Sequence, residues 1–259
     1  MLPSRAERPS RAAQGPGSQF VDLVLVQLSN WRWAWPQLVI TGMIAPVGTM
    51  VGLAVYSGRG GTAQNGHILV GALVLALLFQ NQNLVAGNFA FMKANGTLDF
   101  FAALPVSKAL LAVSTVTAFF LISAPALLVT LVVGLVVLHV SLSVSPLLLL
   151  AIPLCIVIAA GIGAIIGSVF NTIEESSSVS LVATFVLTAC GSVIFPAARL
   201  PAVIRAAGVF NPATYAAAAL RATLIGPVQP GLILDLAVLA AAAAAITVIL
   251  LWRMPWRMR

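Results

Sequence analysis

The sequence predicts an all-α polytopic membrane protein with six transmembrane helices. Of its 259 residues, 61% are hydrophobic and only 7% are charged, and the mean hydropathy is +1.08. A water-soluble domain carries charge on about a quarter of its residues, so lipid must cover most of this surface. In addition, the apolar residues fall into six runs of roughly the length that crosses a bilayer.

The six runs are separated by short polar, Gly- or Pro-containing stretches and form one transmembrane domain over residues 21–252. The predicted spans are about 36–56, 68–90, 109–138, 147–170, 178–195 and 232–251. Residues 1–20 are rich in Pro, Ser and Gly, which predicts a disordered N-terminus, and residues 253–259 form a tail. The third run holds Pro125 and exceeds one span in length, which predicts a single tilted or kinked helix.

Two connecting segments do not fit a span. Segment 93–108 contains Asp99 and is amphipathic rather than uniformly apolar, which predicts a short helix at the membrane surface. Segment 196–230 is the longest connection and is rich in Pro and Gly. It is predicted to lie on the opposite side of the membrane.

An even number of spans places both termini on one side, and the basic residues identify that side. Nine lie with the termini (Arg5, Arg8, Arg11, Arg32, Lys93, Lys108, Arg253, Arg257 and Arg259) and four lie opposite (Arg59, Arg199, Arg205 and Arg221). The positive-inside rule makes both termini cytoplasmic. Eleven arginines against two lysines, with abundant alanine, indicate a GC-rich bacterial genome. The predicted location is the bacterial plasma (inner) membrane.

No catalytic or metal-binding set is visible, so the chain is predicted not to be an enzyme and to hold no metal or cofactor. There is no G-x-x-x-x-G-K-[ST] motif, which excludes ATP hydrolysis by that route. Cys155 and Cys190 lie inside apolar runs, away from metal-ligand spacings. The basic residues flank the spans instead of clustering on one face, which argues against nucleic acid as a partner.

Polar and small residues also occur inside predicted spans. Four consecutive amides lie in the second span: Gln80, Asn81, Gln82 and Asn83. Amides without hydrogen-bond partners are costly in hydrocarbon. These four either form hydrogen bonds between helices, worth about 1 kcal/mol each, or line a translocation pathway. The sequence favours neither interpretation. Gly163 and Gly167 form a G-x-x-x-G spacing in the fourth span, which permits close helix approach.

Three segments carry a family resemblance. Between spans two and three the chain reads Gly96-Thr97-Leu98-Asp99 and then Pro105-Val106-Ser107. After span five it reads Phe195-Pro196, Leu200-Pro201, Asn211-Pro212-Ala213-Thr214-Tyr215, Leu220-Arg221 and Gly226. With the basic, aromatic stretch before a first span that contains Pro46, these segments resemble the permease subunits of type 2 ABC exporters, which include the daunorubicin-resistance and polysaccharide-export permeases.

The resemblance implies a cytoplasmic coupling helix between spans two and three, at about Met92 to Leu104, that docks on a separate ABC ATPase. Its candidate contact residues are Lys93, Asn95, Gly96, Thr97, Leu98, Asp99, Leu104 and Pro105. A second, smaller contact is implied at Glu174 and Glu175. ATP and Mg²⁺ are then bound by the partner ATPase and not by this chain.

The resemblance also implies a re-entrant outer helical segment between spans five and six, at about Leu200 to Leu224. The candidate functional residues of this segment are Asn211, Pro212, Tyr215 and Arg221. Asn211 followed by Pro212 is well suited to begin a helix, because asparagine is a good N-cap and proline fits the first helical position.

The expected function is that of the permease subunit of an ATP-driven exporter. Its cargo is expected to be amphipathic or lipid-like (a drug, antibiotic or glycolipid) and to leave the cytoplasm or inner leaflet. The family's permease pairs with a second copy or a paralogue. Two alternatives stay open: a stand-alone secondary carrier, and a non-transporting membrane immunity or interaction protein. A carrier usually keeps an ionisable group at mid-membrane, and no predicted span has one there.

Overall fold

The structure is a computed structural model that describes residues 15–57, 61–103, 107–196, 200–226 and 231–253. All regular secondary structure in these ranges is helical, which confirms the predicted all-α class. The helices are α1 (Pro16–Trp31), α2 (Trp35–Ser57), α3 (Thr62–Leu77), α4 (Asn83–Ala94), α5 (Thr97–Ala103), α6 (Lys108–Leu138), α7 (Leu148–Val169), α8 (Ile173–Ala189), α9 (Ala202–Val209), α10 (Pro212–Leu224) and α11 (Gly231–Arg253). A π-helical segment, Leu78–Gln82, joins α3 to α4.

Five helical stretches in the described residues are long and apolar enough to cross a membrane. They are Trp35–Tyr56, Gln64–Ala94, Lys108–Leu138, Leu148–Val169 and Gly231–Trp252. The span predicted at 178–195 corresponds to α8, which has 17 residues and is not among the five. Helix α8 begins before the predicted boundary because Thr172 caps it: Thr172 Oγ1 accepts a hydrogen bond from the backbone N–H of Glu175 at 3.2 Å.

The end of α8 also differs from the prediction, and the cause is tertiary. Helix α8 ends at Ala189, and the chain turns at Gly191, where a Cβ would lie 3.0 Å from Asn211 Nδ2. Asn211 Nδ2 also donates to the carbonyl oxygen of Leu187 at 2.6 Å. The apolar run continues to Phe195, but contacts with the start of α10 end the helix earlier.

Helix α1 begins at Pro16, inside the segment 1–20 that the sequence predicts to be disordered. Proline fits the first helical position, and the helix packs along α6. Gln27 is buried, and its Nε2 donates to Thr115 Oγ1 of α6 at 3.3 Å. The last residues of that segment therefore belong to α1, while residues 1–14 lie outside the described ranges.

The second candidate span, which runs from α3 through the π-helical segment to α4, is the most buried of the five. Helix α7 packs against it with the same chain direction. A Cβ on Gly163 would overlap the carbonyl oxygen of Gln82, and a Cβ on Gly167 would overlap that of Ala86. The G-x-x-x-G spacing thus brings two helix backbones into direct contact at the centre of the bundle.

Helix α8 packs antiparallel to this central span. Ser176 Oγ donates to the carbonyl oxygen of Ala86 at 3.1 Å, and Gln82 Nε2 donates to that of Ser180 at 3.0 Å. The start of α8 therefore lies at the same end of the bundle as α5, and its last turn lies at the end that holds α10. We call these the α5 end and the α10 end.

Candidate functional site

A turn and a short helix connect the second and third candidate spans at the α5 end. Helix α4 ends at Ala94, and Asn95 Nδ2 donates to the carbonyl oxygen of Phe91 at 2.9 Å. Gly96 has φ +66°, a left-handed conformation that glycine adopts without strain. Gly96 thereby separates α4 from α5.

The residues predicted for a coupling helix are distributed over this connection. Lys93 lies in α4, Asn95 and Gly96 form the turn, and Thr97, Leu98 and Asp99 lie in α5. Leu104 and Pro105 lie outside the described residues. The surface helix itself begins at Thr97, later than the predicted boundary at Met92.

Helix α5 is attached to the bundle by one face. Leu98 and Phe101, which lie about one turn apart, are buried in the same apolar cluster as Phe89 and Leu111. Phe100, between them, is 63% exposed. The helix is therefore anchored through two side chains and presents an aromatic ring on its free face.

Lys93 joins α4 to the last turn of α7. Its Nζ donates to the carbonyl oxygens of Ser168, Val169 and Phe170 at 3.1, 3.2 and 3.2 Å. The last carbonyls of a helix lack partners within it, and a cation is stabilised at this end by the helix dipole. Lys93, predicted as a surface contact, thus holds the ends of two helices together.

Replacing Lys93 by methionine is expected to destabilise the protein, because three carbonyl oxygens lose a charged donor. Hydrogen bonds to charged groups contribute about 1.5–3 kcal/mol, which corresponds to a fall in Tm of several degrees. Thermal unfolding of the detergent-solubilised chain measures this. Lys93→Arg, which keeps the charge and the donors, is the control; an equal loss of stability in both variants would contradict the capping role.

The predicted second contact also lies at the α5 end. Glu174 and Glu175 are in the first turn of α8, and both are exposed. Carboxylates there are favourable with the positive end of the helix dipole. Because Lys93 fixes the residues that lead into this turn, α4, α7 and α8 are mechanically connected beside α5.

The four consecutive amides lie at the π-helical segment and bond in different directions. Gln80 Nε2 donates to Leu38 O at 3.0 Å, Asn81 Nδ2 to Ser123 Oγ at 3.1 Å, Gln82 Nε2 to Ser180 O at 3.0 Å, and Asn83 Nδ2 to Phe79 O at 2.7 Å. The first three reach α2, α6 and α8, which supports hydrogen bonding between helices. A pathway lining formed by all four stays a prediction, since only Asn83 borders the groove described next.

A groove of about 640 Å³ lies between α1, α2, α4 and α8, toward the α5 end. Its lining combines aromatic and polar side chains: Asn30, Trp31, Asn83, Asn88, Phe91 and Ser177. Asn88 is only 4% exposed, and within the described ranges its Nδ2 has no hydrogen-bond acceptor. A large, mostly apolar cleft with a few polar groups is typical of a small-molecule site, and this one suits a molecule with both polar and apolar parts.

The predicted outer segment forms α9 and α10. Asn211 Oδ1 accepts from the backbone N–H of Ala213 at 2.9 Å, with Pro212 at the first helical position, so the predicted N-cap is present. Tyr215 OH donates to the carbonyl oxygen of Val209 at 2.8 Å and thereby fixes α9 against α10. Arg221 lies in the last turn of α10.

Sequence reasoning missed the groove and the cap made by Lys93. Asn88 is a further amide inside the second span and was the available signal for the groove. No local signal connects Lys93 with carbonyls about 75 residues away. Within the described ranges, no three His, Cys, Asp or Glu side chains come close enough to hold a metal ion.

Comparison with protein families gives a match over most of the chain. The family model described as ABC-2 type transporter matches residues 19–225, from the first turns of α1 to the residue after α10. Comparison with curated proteins gives no match.

Proposed function

The chain belongs to the ABC-2 type transporter family, and we propose that it is the permease subunit of an ATP-driven exporter. Membership of this family identifies the chain as a membrane component of an ABC transporter and not as a catalytic domain. In this proposal, ATP and Mg²⁺ are bound and hydrolysed by a separate ABC ATPase. This chain supplies the path across the membrane.

The proposal rests on the way in which α5 is attached to the helix bundle. This helix is anchored by Leu98 and Phe101 and exposes Phe100. Helix α4, which leads into it, is tied to α7 through Lys93. A force applied to α5 therefore reaches α4, α7 and α8 together, which is what a coupling helix requires. Glu174 and Glu175 serve as the second contact with the ATPase.

The proposed topology has six spans: α2, α3 with α4, α6, α7, α8 and α11. Helix α8 has 17 residues and is about 25 Å long, close to the hydrocarbon thickness of about 30 Å. Helices α9 and α10 form the re-entrant outer segment. The termini and the α5 end then face the cytoplasm of a bacterial cell, and the α10 end faces outward.

We assign the groove between α1, α2, α4 and α8 as the place where cargo enters from the cytoplasm or inner leaflet. Its volume of about 640 Å³ and its mixture of amides and aromatic rings suit an amphipathic drug, antibiotic or glycolipid. A second copy of the chain, or a paralogue, completes the transporter. Lipid covers the remaining apolar surface.

The stand-alone carrier is the weaker alternative. In the described part of the five candidate spans, Lys93, Lys108 and Asp235 lie within about one turn of a span end, and no ionisable Asp, Glu, Lys or Arg lies at mid-span. A coupling ion usually requires such a group. An immunity or interaction protein has no need for a groove of this size.

Replacing Asn83 and Asn88 together by leucine is expected to reduce transport through the groove at least about tenfold, because two of the polar side chains that line it become apolar. The measurement is ATP-dependent accumulation of the dye Hoechst 33342 and of an NBD-labelled phospholipid by inside-out vesicles that contain the ATPase encoded beside the gene. Vesicles without this chain supply the baseline.

Asn65→Leu is the matched control, since Asn65 bonds the carbonyl oxygen of Leu138 and does not line the groove. Transport that survives in Asn65→Leu but is lost in the double variant supports the assignment. Unchanged transport of both probes by the double variant would show that the groove is not the entry site. Transport driven by an ion gradient without ATP would instead favour the carrier.

A further inference from the structure

A second groove lies between α6 and α7 at the α10 end, with a volume of about 320 Å³. Helices α6 and α7 follow one another in the chain, but α6 packs mainly on α2 and α7 mainly on α4. The space left between them is lined by Leu73 and Leu77 of α3 and by Leu220 and Leu224 of α10. It shares no lining residue with the groove assigned to the cargo.

The connection from α6 to α7 fixes α10 beside this space. Residues 139–147 form no helix and lie against the end of α10. The backbone N–H of Ser143 donates to the carbonyl oxygen of Leu224, and that of Ser145 to the carbonyl oxygen of Thr223, both at 2.8 Å. The last carbonyls of a helix have no partner within it. The two bonds therefore hold α10 in place and satisfy polar atoms that a ligand would otherwise meet.

The side chains that line the groove are all apolar. They are leucines with one isoleucine, one alanine and one phenylalanine. Leu128 in its wall is 61% exposed, so the groove opens at the surface of the bundle. The groove assigned to the cargo is lined in part by amides, whereas this one offers a ligand no hydrogen-bonding side chain. It therefore suits a hydrocarbon, since a polar group buried there would lack a partner.

The groove lies in one half of the membrane. The middle of span Lys108–Leu138 is at Ser123, and the groove follows α6 from Phe120 to Leu131. That stretch is about 17 Å long, and half of the hydrocarbon thickness is about 15 Å. On α7 the lining begins at Leu148, the first residue of its span. The groove thus runs from near the bilayer midplane to the surface at the α10 end, over the hydrocarbon of one leaflet.

The dimensions of the groove favour a single hydrocarbon chain over a protein helix. A volume of about 320 Å³ spread over a length of about 17 Å corresponds to a width of about 5 Å. A helix with its side chains is about 10–12 Å across, so a helix of a second copy does not fit. Carbon atoms in contact lie about 3.5–4.0 Å apart, so one chain of methylene groups fits.

We propose that this groove binds one acyl chain of a phospholipid in the leaflet at the α10 end. Lipid tails are as apolar as leucine, so binding gains little from the removal of water. It gains van der Waals contact, because a chain in the groove touches four helices at once. The headgroup stays at the membrane surface and is not selected. The bound chain fills the space beside Leu220 and Leu224 and thereby supports α10.

Native mass spectrometry tests the proposal on the full chain, released from nanodiscs with equal amounts of dioleoyl phosphatidylethanolamine, dioleoyl phosphatidylglycerol and dioctanoyl phosphatidylglycerol. Wild type is expected to retain the two dioleoyl lipids equally. It should retain the dioctanoyl lipid, whose chains are too short to fill the groove, at least about tenfold less. Ala124→Phe, which fills the groove from α6, should lower retention of the dioleoyl lipids at least about tenfold. Ala241→Phe is the matched control and should behave like wild type, because Ala241 is exposed and also lies near the middle of its span.

Two further measurements remove the dependence on correct folding of one variant. Ile152→Trp fills the groove from the opposite wall, on α7, and should have the same effect as Ala124→Phe. Wild type alone can be photo-crosslinked to a phospholipid that carries a diazirine in its acyl chain. The diazirine is expected to label the α10 peptide that holds Leu220 and Leu224, because these buried side chains meet lipid only inside the groove.

Retention that is unchanged in both Ala124→Phe and Ile152→Trp would overturn the proposal. Retention that follows the headgroup and not the chain length would overturn the assignment to an acyl chain. Loss of a dimer in these variants, with no loss of lipid, would instead place a second copy of the chain on this face. The proposal requires only that the bundle spans a membrane, and its readout needs no ATPase, so its failure is distinct from failure of the exporter proposal.

Discussion

Replacing Gly163 by alanine is expected to destabilise the bundle severely. The added Cβ would overlap the carbonyl oxygen of Gln82, and a backbone atom at the π-helical segment has no rotamer through which to move away. Overpacking a core costs about 1–3 kcal/mol and sometimes more, against a gain of about 1 kcal/mol in helix propensity from removing glycine. Because the obstacle is backbone, we place the net loss at the upper end, with Tm lower by at least about 5 °C.

Gly52→Ala is the matched control, since nothing lies within 4 Å of a Cβ added at that helical glycine. It should leave Tm unchanged or raise it slightly. Fluorescence-detected thermal unfolding of both variants in the same detergent makes the comparison. Equal stability of Gly163→Ala and Gly52→Ala would mean that α7 and the central span are not in backbone contact.

Replacing Phe100 by aspartate is expected to weaken the complex with the ATPase at least about thirtyfold, while the chain itself folds normally. Phe100 is 63% exposed, so the change costs little in the isolated bundle. At an interface, a central aromatic side chain contributes about 2 kcal/mol or more, and a buried carboxylate without a partner adds a further cost.

The control is Phe210→Asp, at a phenylalanine that is 90% exposed next to α10. Binding of the purified ATPase to nanodiscs that contain each variant is measured by biolayer interferometry. The account expects Phe210→Asp to bind like wild type. Wild-type affinity in Phe100→Asp would show that α5 is not part of the interface.

The fold class could be predicted from the sequence because helices that face lipid require long, uninterrupted runs of apolar residues. Apolar runs about as long as a bilayer is thick predict helices, and five of the six predicted spans have the required length and composition in the structure. Their ends were less predictable. The end of α8 depends on Asn211, whose side chain bonds Leu187 across more than twenty residues.

The sequence predicted the location of the candidate site better than it predicted the contacts within the site. Asn211 and Pro212 have local conformational signatures, and the structure places both in the expected cap. Gly96 instead forms a turn that divides the predicted coupling helix. Lys93 has none, because the carbonyls it binds become neighbours only when α4 and α7 pack together. The groove is likewise a property of four helices at once. Asn88 was its one local signal, but an amide inside a span does not show which other helices surround it.

The central claim is that this chain is driven by a separate ATPase. The most direct test is to co-express the tagged chain with the ATPase encoded beside it, purify the chain in detergent, reconstitute it in liposomes and measure vanadate-sensitive ATP hydrolysis. The account predicts a stoichiometric complex whose hydrolysis is lost in Phe100→Asp and kept in Phe210→Asp. A chain that purifies without any ATPase, and liposomes that hydrolyse no ATP, would contradict it.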